Sequence, residues 1–69
     1  MFKVDFILNN QTIKENVIMD HLPSKGDNVN IKGTTRFDDV YVVEKIVWEV
    51  KDLPNGYPYQ DVNIELKRG

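Results

Sequence analysis

The sequence predicts a small all-β domain, a five-stranded antiparallel meander bent strongly enough to close into a small barrel. Hydrophobic and polar residues alternate in several short segments. Turn signals rich in Asn, Gly and Pro separate these segments, and no segment has a convincing helical periodicity. With 69 residues, the chain is near the lower size limit for burying one core, so residues 1–69 are expected to form a single domain.

The N-terminal segment is predicted to form the first arm of a β-hairpin. Apolar residues occupy every second position, as in a strand with one face on a core: Phe2, Val4, Phe6 and Leu8. Asn9-Asn10 follows at once. Because asparagine tolerates positive φ, we expect a two-residue primed turn there.

The segment from Thr12 to Met19 is predicted as the second strand, kinked because its apolar residues change parity at Ile18. A helix over Thr12–His21 is the alternative, since Ile13, Val17 and His21 recur at a four-residue spacing. The segment is rich in β-branched residues and directly follows a two-residue turn, which favours the strand.

A loop beginning at Leu22 is predicted to lead into a short third strand. Pro23 fixes one φ and Gly26 permits a sharp turn. Val29 and Ile31 are then expected to point inward. Gly33-Thr34-Thr35 predicts the turn that follows.

The longest extended segment runs from Phe37 to Lys51 and requires a bend. At about fifteen residues it exceeds the usual length of a strand, so we expect a bulge near Glu44-Lys45. By parity, one face carries Val40, Val42, Ile46, Trp48 and Val50, interrupted by Glu44, and the opposite face carries Tyr41, Val43 and Val47.

The last strand is predicted from Asp61 to Lys67, with Val62, Ile64 and Leu66 pointing inward. It follows the strongest turn signal, Asp52–Gly56, and Pro58, which cannot donate to a sheet ladder. An open sheet would expose long edges. We therefore expect closure into a barrel or, as the alternative, a dimer that shares an edge.

Residues 22–50 also carry a recognisable pattern. The motif Leu22-Pro23-x-x-Gly26-Asp27-x-Val29-x-Ile31 precedes a long strand that ends in Ile46-Val47-Trp48. This stretch resembles the SH3-like small barrels, and it is similar to small uncharacterised phage and prophage proteins. The resemblance implies an SH3-like small barrel or strongly bent sheet, and it implies no functional residues.

The composition restricts the classes of function. The absence of cysteine removes disulfides and thiolate metal sites and fits a cytoplasmic protein, in the host cytoplasm if the chain is phage-encoded. Nine basic and eleven acidic residues give a net charge of −2, which disfavours general nucleic-acid binding. The apolar runs are too short to span a membrane, so a soluble protein is expected.

No residue pattern predicts catalysis or metal binding. His21 lies beside Asp20, but neighbouring residues on a strand point to opposite faces, and no nucleophile or ligand spacing surrounds the pair. Asp38, Asp39 and Glu44 are typical of solubilising charge. We therefore predict that the protein is not an enzyme and uses no metal or cofactor.

The aromatic residues are the candidate binding site. Trp48 and the pair Tyr57 and Tyr59 should approach one end of the same two-stranded ribbon, and Tyr41 would join them if it shares their face. Partly exposed Tyr and Trp side chains are frequent binding anchors. The alternative is that Trp48 fills the barrel and the tyrosines cover its end.

Three functions remain open. The leading hypothesis is a non-enzymatic protein-interaction module, a phage or prophage accessory protein that binds a host or phage protein through the aromatic residues or an exposed strand edge. One alternative is a small barrel that binds single-stranded nucleic acid, with phosphates contacted by Lys25, Lys32, Arg36, Lys67 and Arg68. The other is a structural subunit of a homo-oligomer, such as a homodimer.

Overall fold

The computed structural model describes residues 1–32, 39–50 and 56–69, which form one five-stranded sheet. The strands are β1 (Phe2–Leu8), β2 (Gln11–Met19), β3 (Asn28–Ile31), β4 (Asp39–Trp48) and β5 (Gln60–Arg68). Their order across the sheet is β2-β1-β5-β4-β3. The predicted all-β fold with five strands is confirmed, and the segment for which a helix was the alternative is strand β2.

The sheet is mixed. The pairs β1–β2, β3–β4 and β4–β5 are antiparallel, as expected, whereas the first and last strands, β1 and β5, pair in parallel at its centre. The β1–β2 hairpin and the unit formed by β3, β4 and β5 are therefore joined by the pairing of the first strand with the last. The segment between β2 and β3 carries the backbone from one edge of the sheet to the other.

The core lies on the concave face of this sheet. It consists of eight buried side chains, Val4, Phe6, Leu8, Tyr41, Val43, Val62, Ile64 and Leu66. Among the described residues there is no second layer to cover them. A sheet can bury its own inner face to this degree only by curling around it, so the fold is a half-barrel whose outermost strands approach each other.

Three asparagines with positive φ shape the β1–β2 hairpin. Asn9 and Asn10 have φ of 51° and 64°, which confirms the predicted primed turn. Asn16 has φ of 58° and lies beside a register shift in the ladder. Its backbone N–H donates to Asp5 Oδ1 at 3.0 Å. This bulge is the kink expected in β2. Ile18 lies outside it in a regular part of the ladder, where it pairs with Lys3 and points to the convex face.

A second bulge at Glu44 changes which face β4 presents to the core. Val43 pairs with Leu66 and Lys45 with Glu65, which leaves Glu44 as the extra residue. Tyr41 and Val43 before the bulge therefore lie on the same concave face as Ile46 and Trp48 after it. The bend at Glu44-Lys45 is confirmed, but the assignment of faces by simple parity across it was wrong.

The loop before β3 continues the sheet beyond the strand. The N–H of Gly26, which has φ of 93°, donates to the carbonyl of Val43 at 2.8 Å, and the Val43 N–H donates to the Asp27 carbonyl at 2.9 Å. The Asp27 carboxylate accepts from the Ser24 N–H at 2.7 Å. Val29 and Ile31 then pack against the core, as predicted.

Two predicted turns fall wholly or largely outside the described residues, namely Gly33-Thr34-Thr35 and Asp52–Gly56. Of these positions only Gly56 is described, with φ of 88°. Strand β5 begins two residues after Pro58, and its three predicted core residues are buried.

Candidate functional site

The predicted aromatic site is gathered at one end of the sheet but divided between its faces. Tyr57 and Tyr59 make an edge-to-face contact with ring centroids 5.9 Å apart. Trp48 makes a similar contact with Phe2 at 5.6 Å. The Tyr57 hydroxyl donates to Asp61 Oδ1 at 3.2 Å.

The strand alternation shows that these contacts belong to opposite faces. Val62 is in the concave core, so its neighbour Asp61 points to the convex face, and Tyr57 is anchored there. Trp48 pairs with Val62 and is on the concave face, where its side chain is 51% exposed. The three aromatic residues are therefore near one another along the sheet but do not form one continuous surface.

Tyr41 lies apart from the other aromatic residues. It pairs with Arg68 at the opposite end of the β4–β5 ladder, and only 5% of its surface is exposed. The Arg68 guanidinium is 5.8 Å from the centre of the Tyr41 ring, a cation–π geometry. Tyr41 is thus a core residue, and the Arg68 guanidinium lies over its ring.

Four of the candidate nucleic-acid residues, Lys25, Lys32, Lys67 and Arg68, are described by the structure, and they are exposed but not on one face. Lys67 pairs with Val42 on the convex side, whereas Arg68 covers Tyr41 on the concave side. Lys25 lies in the loop before β3, and Lys32 immediately follows that strand. Arg36 is outside the described residues. The four described residues do not form a basic track along one surface.

The titratable side chains form no metal or catalytic constellation in the described parts of the chain. No group of three or more His, Cys, Asp or Glu residues there could hold a metal ion. His21 is exposed in the segment after β2, and Glu44 is exposed at the bulge. Asp38 is not described, and Asp39 begins β4.

Polar side chains of β5 join this strand to the chain just after β4. Asn63 Nδ2 donates to Glu49 Oε1 at 2.6 Å, and Gln60 Nε2 donates to the Glu49 carbonyl at 2.7 Å. These contacts fix the chain just after β4 against the start of β5. Their role is structural.

A groove that the sequence did not predict lies between the two edge strands of the half-barrel. We call it the seam. It is lined from β1 and β2 by Phe6, Lys14, Val17 and Met19, and from β3 and the residue after it by Val29, Asn30, Ile31 and Lys32. Since β2 and β3 form no ladder with each other, each strand presents an unpaired backbone edge to the seam.

The seam combines an apolar floor with a basic rim. Phe6 is a core residue, and four further lining residues are half-buried and packed against the core, namely Val17, Met19, Val29 and Ile31. Lys14 and Lys32 are exposed. The groove volume is about 250 Å³. It is smaller than the roughly 300–1,000 Å³ of sites that enclose small molecules, so it suits a few side chains of an extended segment better.

The first half of β2 extends this edge. All six positions from Gln11 to Asn16 are exposed, and Ile13 and Ile18 are 36% and 46% exposed. Exposed strand edges could be predicted from the sequence, but the residues of the seam could not, because they meet only through the curl of the sheet.

In comparisons with protein-family models, with curated proteins and with solved structures, nothing matches this chain. No helix in the described residues is long and apolar enough to cross a membrane. The candidate function consequently depends on the geometry of the chain itself.

Proposed function

We propose that this protein is a non-enzymatic protein-interaction module that binds an extended segment of a partner protein in the seam. The observation that carries the proposal is the apolar groove between two unpaired strand edges, with the core residue Phe6 at its floor. In strand addition, backbone hydrogen bonds supply affinity and pockets for alternate side chains supply specificity. The seam offers both elements.

The geometry favours the seam over the aromatic end of the sheet as the main contact surface. The seam is one continuous groove on the concave side, whereas Trp48 and Tyr57 are anchored on opposite faces. Trp48 remains a candidate for secondary contacts because half of its surface is exposed. The resemblance of residues 22–50 to small phage and prophage proteins supports a host or phage protein in the cytoplasm as the partner.

The proposal is tested by comparing two charge insertions on the same strand. Met19 lines the seam, and its neighbour Ile18 points to the opposite face. Tagged wild-type protein, Met19→Lys and Ile18→Lys are used to capture partners from bacterial lysate after nuclease treatment. We expect one dominant protein with wild type and Ile18→Lys, and its loss with Met19→Lys. Circular dichroism verifies that each variant is folded.

Amide hydrogen exchange supplies a test of the same proposal on the wild-type protein. Amide hydrogen exchange of the wild-type complex should show added protection in β2 and β3, and this measurement does not depend on any variant. Capture that disappears with nuclease, capture of the chain alone, or protection confined to residues 56–61 would contradict binding in the seam.

A further inference from the structure

The charge pattern of the seam indicates what kind of segment can enter it. Lys14 and Lys32 lie on opposite sides of the groove, and no acidic side chain is among those lining residues that the structure describes. Within the described part of the chain, neither lysine forms an ion pair. An apolar groove bounded by two unpaired ammonium groups is complementary to an apolar segment that carries carboxylates.

From this complementarity we infer that the seam selects an extended peptide in which apolar residues alternate with acidic ones, and that Lys14 and Lys32 are its specificity residues. The inference rests on the proposed function and names the partner's chemistry. The apolar side chains of the peptide lie against Phe6 and the half-buried residues around it. Its carboxylates point away from the core, and at the rim they meet the exposed ends of the Lys14 and Lys32 side chains.

The same charges oppose a second copy of this chain as the occupant. Lys14 is a charged residue on the core-facing side of an edge strand, a known device against edge-to-edge association. If two β2 edges paired, the lysines of both copies would be brought into one groove whose described lining residues include no carboxylate. The carboxylates of an acidic partner neutralise the lysine charges, whereas a second copy adds further lysine charges to the groove.

The inference is tested with fluorescent peptides of about eight residues, the length of a typical strand. Valine and isoleucine occupy alternate positions in all of them, and the intervening positions carry glutamate, threonine or lysine. A fourth probe is the glutamate peptide with N-methyl groups on alternate amides, which prevents strand pairing without altering its side chains. Oligothymidylate of similar length is the nucleic-acid probe.

Fluorescence anisotropy at low and moderate salt should rank glutamate before threonine before lysine. We expect about a tenfold difference in Kd between the glutamate and lysine peptides, the scale of two exposed ion pairs gained or two repulsions introduced. N-methylation should abolish binding. The double variant Lys14→Glu, Lys32→Glu should reverse the ranking, and this reversal excludes a loss of folding as the explanation.

The other outcomes separate the inference from the proposed function. Equal binding of the three side-chain variants would retain strand addition but overturn acidic selectivity. No binding of any peptide would overturn the inference, while lysate capture decides the proposed function independently. Tighter binding of oligothymidylate, or a dimer by light scattering that Met19→Lys dissociates, would overturn the inference in favour of nucleic acid or of a second copy.

Discussion

The bulge in β4 makes a quantitative prediction, because one residue decides which side chains reach the core. Glu44 is exposed and is the extra residue between Val43 and Lys45. Deleting Glu44 removes the extra residue and leaves Tyr41, Val43, Ile46 and Trp48 at alternate positions of a regular strand, all on the concave face. Deleting Val42 instead makes Tyr41 and Val43 direct neighbours, so one of the two side chains must leave the core. Replacing Glu44 with alanine keeps the bulge and changes only an exposed side chain.

The cost of the Val42 deletion follows from burial. Tyr41 and Val43 are 5% and 1% exposed, and transferring either side chain to water costs about 1.5–3 kcal/mol. Deleting Glu44 transfers neither of them to water. We therefore expect the Val42 deletion to lower the free energy of unfolding by at least about 1.5 kcal/mol more than the Glu44 deletion does.

This loss is large for a chain of 69 residues, whose total stability is of order 3–10 kcal/mol. Thermal and urea unfolding followed by circular dichroism should show a Tm at least about 6 °C lower for the Val42 deletion than for the Glu44 deletion. Glu44→Ala should stay within about 0.5 kcal/mol of wild type. Equal stability of the two deletion variants would refute the assignment of Glu44 as the extra residue of the ladder.

Three further predictions concern the turn and the core, and urea unfolding measures each of them. Asn10→Gly should leave stability unchanged or raised, because glycine freely adopts the φ of 64°, whereas Asn10→Ala should cost about 1 kcal/mol. Ile64→Val should cost about 0.5–1.5 kcal/mol at this fully buried site. The matched exposed control, Val40→Ala, should change stability by less than about 0.5 kcal/mol, and equal effects would contradict the core assignment. Tyr41→Ala should cost about 3 kcal/mol or more and exceed Trp48→Ala, whose side chain is half exposed; the reverse order would place Tyr41 outside the core.

Much of the fold could be predicted from local patterns. Apolar residues at every second position identified β1 and β5 as strands. The same alternation identified their core faces, because residues at every second position of a strand point to one side. The Asn9-Asn10 turn was predictable because few residues tolerate two successive positive φ values. These features depend on neighbouring residues only.

The remaining features depend on contacts between distant segments. Nothing near β1 or β5 indicates that they pair in parallel, so the local turn signals suggested an antiparallel meander throughout. The bulge near Glu44 was predictable from strand length, but its effect on Tyr41 required the register with β5. The seam is the extreme case, because Met19 and Ile31 become neighbours only after the sheet has curled.

The parallel ladder between β1 and β5 has a consequence for how the protein can fold. Val4 pairs with Val62 and Leu8 with Leu66, so the two central strands come from opposite ends of the chain. Bringing two such distant segments together costs loop-closure entropy before any contact between them can compensate for it. Folds dominated by non-local pairing therefore reach the native state in milliseconds to seconds. During synthesis, β1–β2 and β3–β4 can form early, but no core exists until β5 leaves the ribosome.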